Sequence, residues 1–120
     1  MHAPSLLETF PIGAISPEGW LLNQLHAQAD GLTGYLDEFW PDVGPDSAWL
    51  GGSGEDWERG PYYLDGLIPL AFTLRSGSLI TKAKVWVEAI LHSQAADGFF
   101  GPASNVDWWQ GQISWWVSAL

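Results

Sequence analysis

Residues 61–98, "PYYLDGLIPLAFTLRSGSLITKAKVWVEAILHSQAADG", decide the fold class of this chain. Leu64, Leu67, Ile68, Ala71 and Phe72 recur at three- and four-residue spacing, which predicts a helix from about Pro61 to Arg75. Pro69 falls inside it and removes the bond that its missing N–H would give to Asp65, so a kink is expected there. A short "SG" turn follows. Leu79, Ala83, Trp86, Ile90 and Gln94 then form one stripe, predicting a second helix from about Ser78 to Ala96 with Gly98 as its stop. Two helices joined by so short a turn must lie antiparallel, which makes the unit a helical hairpin.

Working outward, Ser16-Pro17-Glu18 carries the marks of a helix start: a capping serine, a proline at the first helical position and an acid in the first turn. Leu21, Leu22, Leu25, Ala29 and Leu32 continue at helical spacing, giving a helix over about residues 17–31. Gly31 and Gly34 loosen its end, so "YLDEFWPDVGPD" is expected to be irregular. Residues 41–60 are a long loop of Pro, Gly, Asp and Ser, and loops of that length in compact domains are usually functional or disordered. Trp40, Trp49 and Trp57 argue against disorder. A last helix is expected from Trp108, with Trp109, Ile113, Trp116, Val117 and Leu120 on one stripe. No strand pattern or exact internal repeat is present. The expected class is all-α, built from antiparallel hairpins.

Composition narrows the function. At 120 residues this is one domain at most. Fourteen acids against four cations give a net charge of −10, and Arg59, Arg75, Lys82 and Lys84 are too scattered to hold phosphates, so nucleic acid is excluded as a partner. No cysteine is present, which removes disulfides and thiolate metal sites. His26 and His92 share no metal-ligand spacing with each other. No P-loop, G-x-G-x-x-G or G-x-S-x-G pattern occurs. "MHAPSLLETFPIGAISP" lacks the basic and apolar regions of a signal peptide, and no apolar run approaches the roughly 20 residues that span a bilayer. No membrane association is expected, and the default compartment is the cytoplasm. Nine tryptophans and 47% apolar residues with only 15% charged are more apolar surface than a small domain hides easily, which is expected of a piece of a larger assembly.

The chemistry concentrates in "GGSGEDWERGPYYLDG", residues 51–66. Glu55, Asp56 and Glu58 precede the predicted helix start, where free N–H groups carry partial positive charge. Arg59 can orient a carboxylate through its planar fork. Trp57, Tyr62 and Tyr63 offer flat apolar faces with polar edges, which suit the alternating CH and OH surfaces of a sugar ring. The alternative is scaffolding: a Glu58–Arg59 ion pair, with the acids complementing the helix dipole. Asp107 and Trp108 open the last helix in the same way, so the two clusters are expected at one end of the assembly. "QAADGFFGP", residues 94–102, reads as a structural turn with Phe99 and Phe100 plugging back under the preceding helix. A similar signature in terpene-cyclase-type barrels gives a remote second enzyme class.

The segments "FPIGAISPEGWL", "QADGLTGYLDEFWPDV", "GGSGEDWERGPYYLDGLIPLAF", "KAKVWVEAIL" and "DGFFGP" followed by "DWW" together resemble the N-terminal part of the beta-L-arabinofuranosidase-like glycoside hydrolases, family 127 and its relatives. The resemblance covers nearly the whole chain. It implies the first hairpins of an (α/α)6 barrel of the six-hairpin glycosidase type, hydrolysis of O-glycosyl bonds at non-reducing ends, and a carbohydrate substrate. Glu55, Asp56, Trp57, Glu58, Arg59, Tyr62, Asp107 and Trp108 would then be substrate-binding groups on one wall of the pocket. The family's cysteine nucleophile and zinc ligands come from later in the barrel, and this chain has no cysteine. No residue here is assigned as catalytic, no cofactor is expected in this chain, and zinc is an expectation for a full-length parent alone. The isolated chain is expected to be inactive and to bind missing hairpins or to self-associate. A non-catalytic carbohydrate-binding partial barrel is the alternative.

Overall fold

The computed structural model describes residues 9–11, 13–96 and 98–104. Among them the fold is all-α: helix α1 (Gly19–Ala29), α2 (Leu32–Phe39), 3-10 turns at Pro41–Val43 and Ala48–Leu50, α3 (Arg59–Thr73) and α4 (Gly77–His92). The expected last helix from Trp108, and with it Asp107, lies outside the described residues. No described helix is long and apolar enough to cross a membrane.

The α3–α4 hairpin is where the sequence pattern placed it, with both helices starting slightly earlier than expected and α4 ending at His92 rather than Ala96, so that Gln94 lies beyond it. Leu64, Leu67, Leu70 and Ala71 of α3 face Leu79, Ala83 and Trp86 of α4, and Leu67 and Ala71 are wholly buried. The connection is tighter than an "SG" loop. Arg75 adopts a left-handed backbone (φ 52°), and the Ser76 and Arg75 N–H groups donate to the carbonyls of Ala71 and Phe72. This closes the helix end as a Schellman motif in which Arg75 holds the position glycine usually takes. Ser76 then caps α4 by accepting from the Leu79 N–H, so Gly77 is already helical. Pro69 stands on the exposed side of α3, where the carbonyl of Asp65 can turn to water.

Three expectations are corrected. Phe72 fits the apolar period of α3 yet remains 42% exposed, because the stripe is wider than the surface α4 covers. Helix α1 begins at Gly19 rather than Pro17: Gly19 has φ 58°, Glu18 is extended, and no side chain caps the end. Residues 32–39 form a helix instead of an irregular tail. Gly34 explains this, since a Cβ there would stand 1.7 Å from the carbonyl oxygen of Ala29. The glycine lets α2 cross the end of α1 at backbone contact rather than breaking the helix.

Polar contacts hold α2 in place. Asp37 forms an ion pair with Lys82 of α4, whose ammonium also donates to the Gly34 carbonyl. The Tyr63 hydroxyl donates to the Thr33 carbonyl (3.3 Å) and to Asp37 (3.5 Å). Burial, together with the neighbouring Asp37 charge, keeps that phenol protonated far above the usual tyrosine range. Helix α1 contributes only Leu25 and Ala29 to the edge of the core, and Trp20 is 79% exposed.

Truncating Leu67 to alanine should cost about 2–5 kcal/mol, because α4 and the 3-10 turns leave the cavity no room to collapse. Phe72→Ala should cost under about 1 kcal/mol, as exposed positions do. Chemical denaturation of the two variants decides it. Equal losses would mean that the buried face of α3 is misassigned.

Candidate functional site

The glycine-rich lead-in is a tight loop folded around Asp46. Its carboxylate accepts from the N–H and hydroxyl of Ser53, and the Gly54 N–H donates to its carbonyl at 2.7 Å. A Cβ on Gly52 or Gly54 would come within 2.2 or 2.7 Å of that same carbonyl oxygen, so only glycine fits at either position. The loop is fastened from beneath by Ser47 and Ala48, which donate through hydroxyl and N–H to the main-chain carbonyl of Glu55 (3.3 and 3.0 Å).

Trp49 fixes this loop to the helices. It is 3% exposed, and its indole N–H donates to the Trp57 carbonyl at 2.8 Å. Gly60, in the first turn of α3, leaves no space for a side chain: a Cβ would meet Trp49 at 2.8 Å and Trp86 at 2.9 Å. Gly101, with a left-handed φ of 118°, packs by the far edge of the same ring, where an added Cβ would stand 3.0 Å from it. The 94–101 turn is thereby structural, as its sequence suggested. Phe99 is buried, and Ser93 accepts from the Gly101 N–H.

These contacts bring Glu55, Asp56, Trp57, Glu58 and Arg59 to the N-terminus of α3. Glu55 takes the first free helical donor, its Oε1 accepting from the Arg59 N–H at 3.3 Å. Its Oε2 is buried with no hydrogen-bond partner among the described residues. Burial raises the carboxyl above its ordinary value of 4.5, against the pull of the Arg59 and Trp57 N–H groups, and the charges of Asp42 and Asp56 push the same way. Trp57 is half-buried against the core, and Tyr62 is 51% exposed one turn along α3.

Two members of the predicted cluster behave differently. Arg59 does not pair with Glu58. Its guanidinium lies over the Trp40 ring, 5.0 Å from the centroid, and Lys82–Asp37 is the only ion pair among the described residues. Neighbours in sequence diverge around a helix, so the indole wins. Tyr63 belongs to the core rather than to the site, its ring edge against Trp86. Asp107 and Trp108 lie outside the described residues. Sequence reasoning missed Trp40 and Asp42 as members of the site, which they reach because the turn after α2 packs against α3; the "WPD" run was their signal.

Flat apolar faces, a fixed cation and several carboxylates thus share one helix entrance. Such a set can hydrogen-bond and stack, and its acids stand where helix N–H groups steady them. No three His, Cys, Asp or Glu side chains among the described residues stand close enough to hold a metal ion. No protein-family model, curated protein or solved structure matches the chain.

The raised Glu55 value has a signed consequence. Between the ordinary carboxyl value and the higher folded one, the native state keeps a proton that the unfolded chain has released. Stability from this group therefore falls as pH rises through that window and is level on either side. Glu55→Gln cannot ionise, so its stability relative to wild type should climb across the window and then plateau. Paired thermal melts from pH 4 to 8 test this; a constant difference would mean that Glu55 is as solvated folded as unfolded.

Proposed function

We infer that the entrance of α3 binds a sugar, as one wall of the pocket of a beta-L-arabinofuranosidase-like glycoside hydrolase. In this reading the hairpins are the N-terminal part of an (α/α)6 barrel, and the chain supplies substrate contacts to an enzyme whose nucleophile and acid are elsewhere. The observation that carries it is Glu55. One carboxylate oxygen is committed to the helix, and the other is buried with no hydrogen-bond partner among the described residues. A buried polar atom without a partner is costly, and a sugar hydroxyl would satisfy it.

The neighbours suit the same ligand. Trp57 and Tyr62 present ring faces and edges for the apolar patches of a pyranose or furanose. Arg59, steadied on Trp40, keeps its donors in a fixed plane for ring or hydroxyl oxygens. Asp56 and Glu58 supply acceptors at the rim. All of these are binding roles, and none is a general acid, general base or nucleophile.

Titration of the chain with an aryl beta-L-arabinofuranoside, followed by tryptophan fluorescence, tests the proposal. Saturable quenching is expected. Glu55→Gln should weaken it roughly tenfold or more, since a hydrogen bond to a charged group contributes about 1.5–3 kcal/mol. Tyr62→Ala, at an exposed position, should weaken it with little change in melting temperature. Absence of saturable binding, or full affinity in both folded variants, would contradict a sugar site here.

A further inference from the structure

A groove of about 250 Å3 runs between α1 and α3, and Glu55 has no part in its lining. Leu25 of α1 and Leu70 and Pro69 of α3 give it apolar walls. Gly66 leaves a gap in the α3 wall, since a Cβ there would meet nothing within 4 Å. The volume falls just under the range of about 300 to 1,000 Å3 of drug-sized sites, so an occupant must be small.

Pro69 gives the groove its acceptor. In an α-helix each carbonyl points along the axis toward the N–H four residues on. For Asp65 that residue is Pro69, which has no N–H, so the Asp65 carbonyl loses its helical donor. Backbone geometry, rather than a side-chain rotamer, fixes its direction: it runs from Asp65 toward Pro69, and both residues line the groove.

Charge selects among donors. Asp65 is exposed and forms no ion pair among the described residues, and its field reaches the groove whichever way the carboxylate turns. No Lys or Arg stands in the lining, and Arg59 and Lys82 are held on Trp40 and Asp37. The chain as a whole carries −10. A carboxylate would be repelled, and a hydroxyl would gain nothing from the field. A primary ammonium has donors for the freed carbonyl, a charge that Asp65 favours, and a stem that the leucines and Pro69 can cover.

We propose that the α1–α3 groove binds a small primary alkylammonium, with its N–H groups on the Asp65 carbonyl and its apolar stem between Leu25 and Leu70. The site does not rest on the sugar reading.

The experiment is a 1H–15N NMR titration of the chain with n-pentylammonium chloride at neutral pH and constant ionic strength. Pentyltrimethylammonium, which keeps the charge but has no N–H, and pentanoate are run in parallel. Pentylammonium should give saturable shifts centred on Gln28, Gly66 and Thr73, all on the groove. Pentyltrimethylammonium should bind roughly tenfold more weakly, since it cannot donate, and pentanoate should give no shifts. Gly66→Leu fills the groove and should abolish the shifts while melting no lower than wild type, because it removes a glycine from a helix interior. Pro69→Ala restores the N–H that takes back the Asp65 carbonyl, and should bring the two cations to equal affinity. Equal affinity of the two cations for the wild-type chain overturns the proposal. So do shifts that survive in Gly66→Leu, a preference for pentylammonium that survives in Pro69→Ala, or shifts spread evenly over exposed acids such as Asp30 and Glu88.

Discussion

One indole ring ties three separated parts of the chain together. Trp49 sits on the loop after α2, meets Gly60 at the start of α3 and Gly101 after α4, and gives its N–H to Trp57. Burying an indole removes about 150–250 Å2 from water, which at about 25 cal/mol per Å2 is an upper bound near 4–6 kcal/mol. Its single hydrogen bond adds about 1 kcal/mol. The ring therefore outweighs any polar contact of the loop, and the two glycines are what allow it to sit there. Without it, nothing of comparable strength would carry Glu55 and Trp57 to the helix entrance.

The site's electrostatics follow from that placement. Once the loop is pinned, Glu55 must sit beside α3, where one oxygen finds a helix N–H and the other loses water. Asp42 and Asp56 add like charge, and the guanidinium that could have neutralised the group lies on Trp40 instead. A polar group held under-satisfied by packing is what a ligand-binding reading expects. The Asp37–Lys82–Tyr63 cluster is the opposite case: its charges are paired, and it clamps α2 across α3 and α4.

Periodicity made the α3–α4 hairpin legible, because apolar spacing reports directly on which face is buried. It could not show how much of that face finds a partner, which is why Phe72 was placed inside. Gly31 does stand where α1 gives way to α2, but Gly34 lies inside a helix, and nothing local distinguishes a glycine that loosens a helix end from one that lets two helices touch. The acidic-aromatic cluster was visible as a run of residue types, and Glu55 and Trp57 lead into the start of α3, with Tyr62 in its first turns. The partner of Arg59 was not visible: Trp40 is distant in sequence, and only the packing of α2 and the turn after it on α3 brings it within reach.

Hydrogen exchange at the Trp49 indole N–H probes the central contact without altering it. If Trp49 is the pin, that proton should exchange as slowly as the amides of Leu67 and Ala71, because releasing it requires opening the same core. Exchange as fast as at the exposed Trp20 indole would show that the loop detaches independently, and the site could not then be held at the entrance of α3.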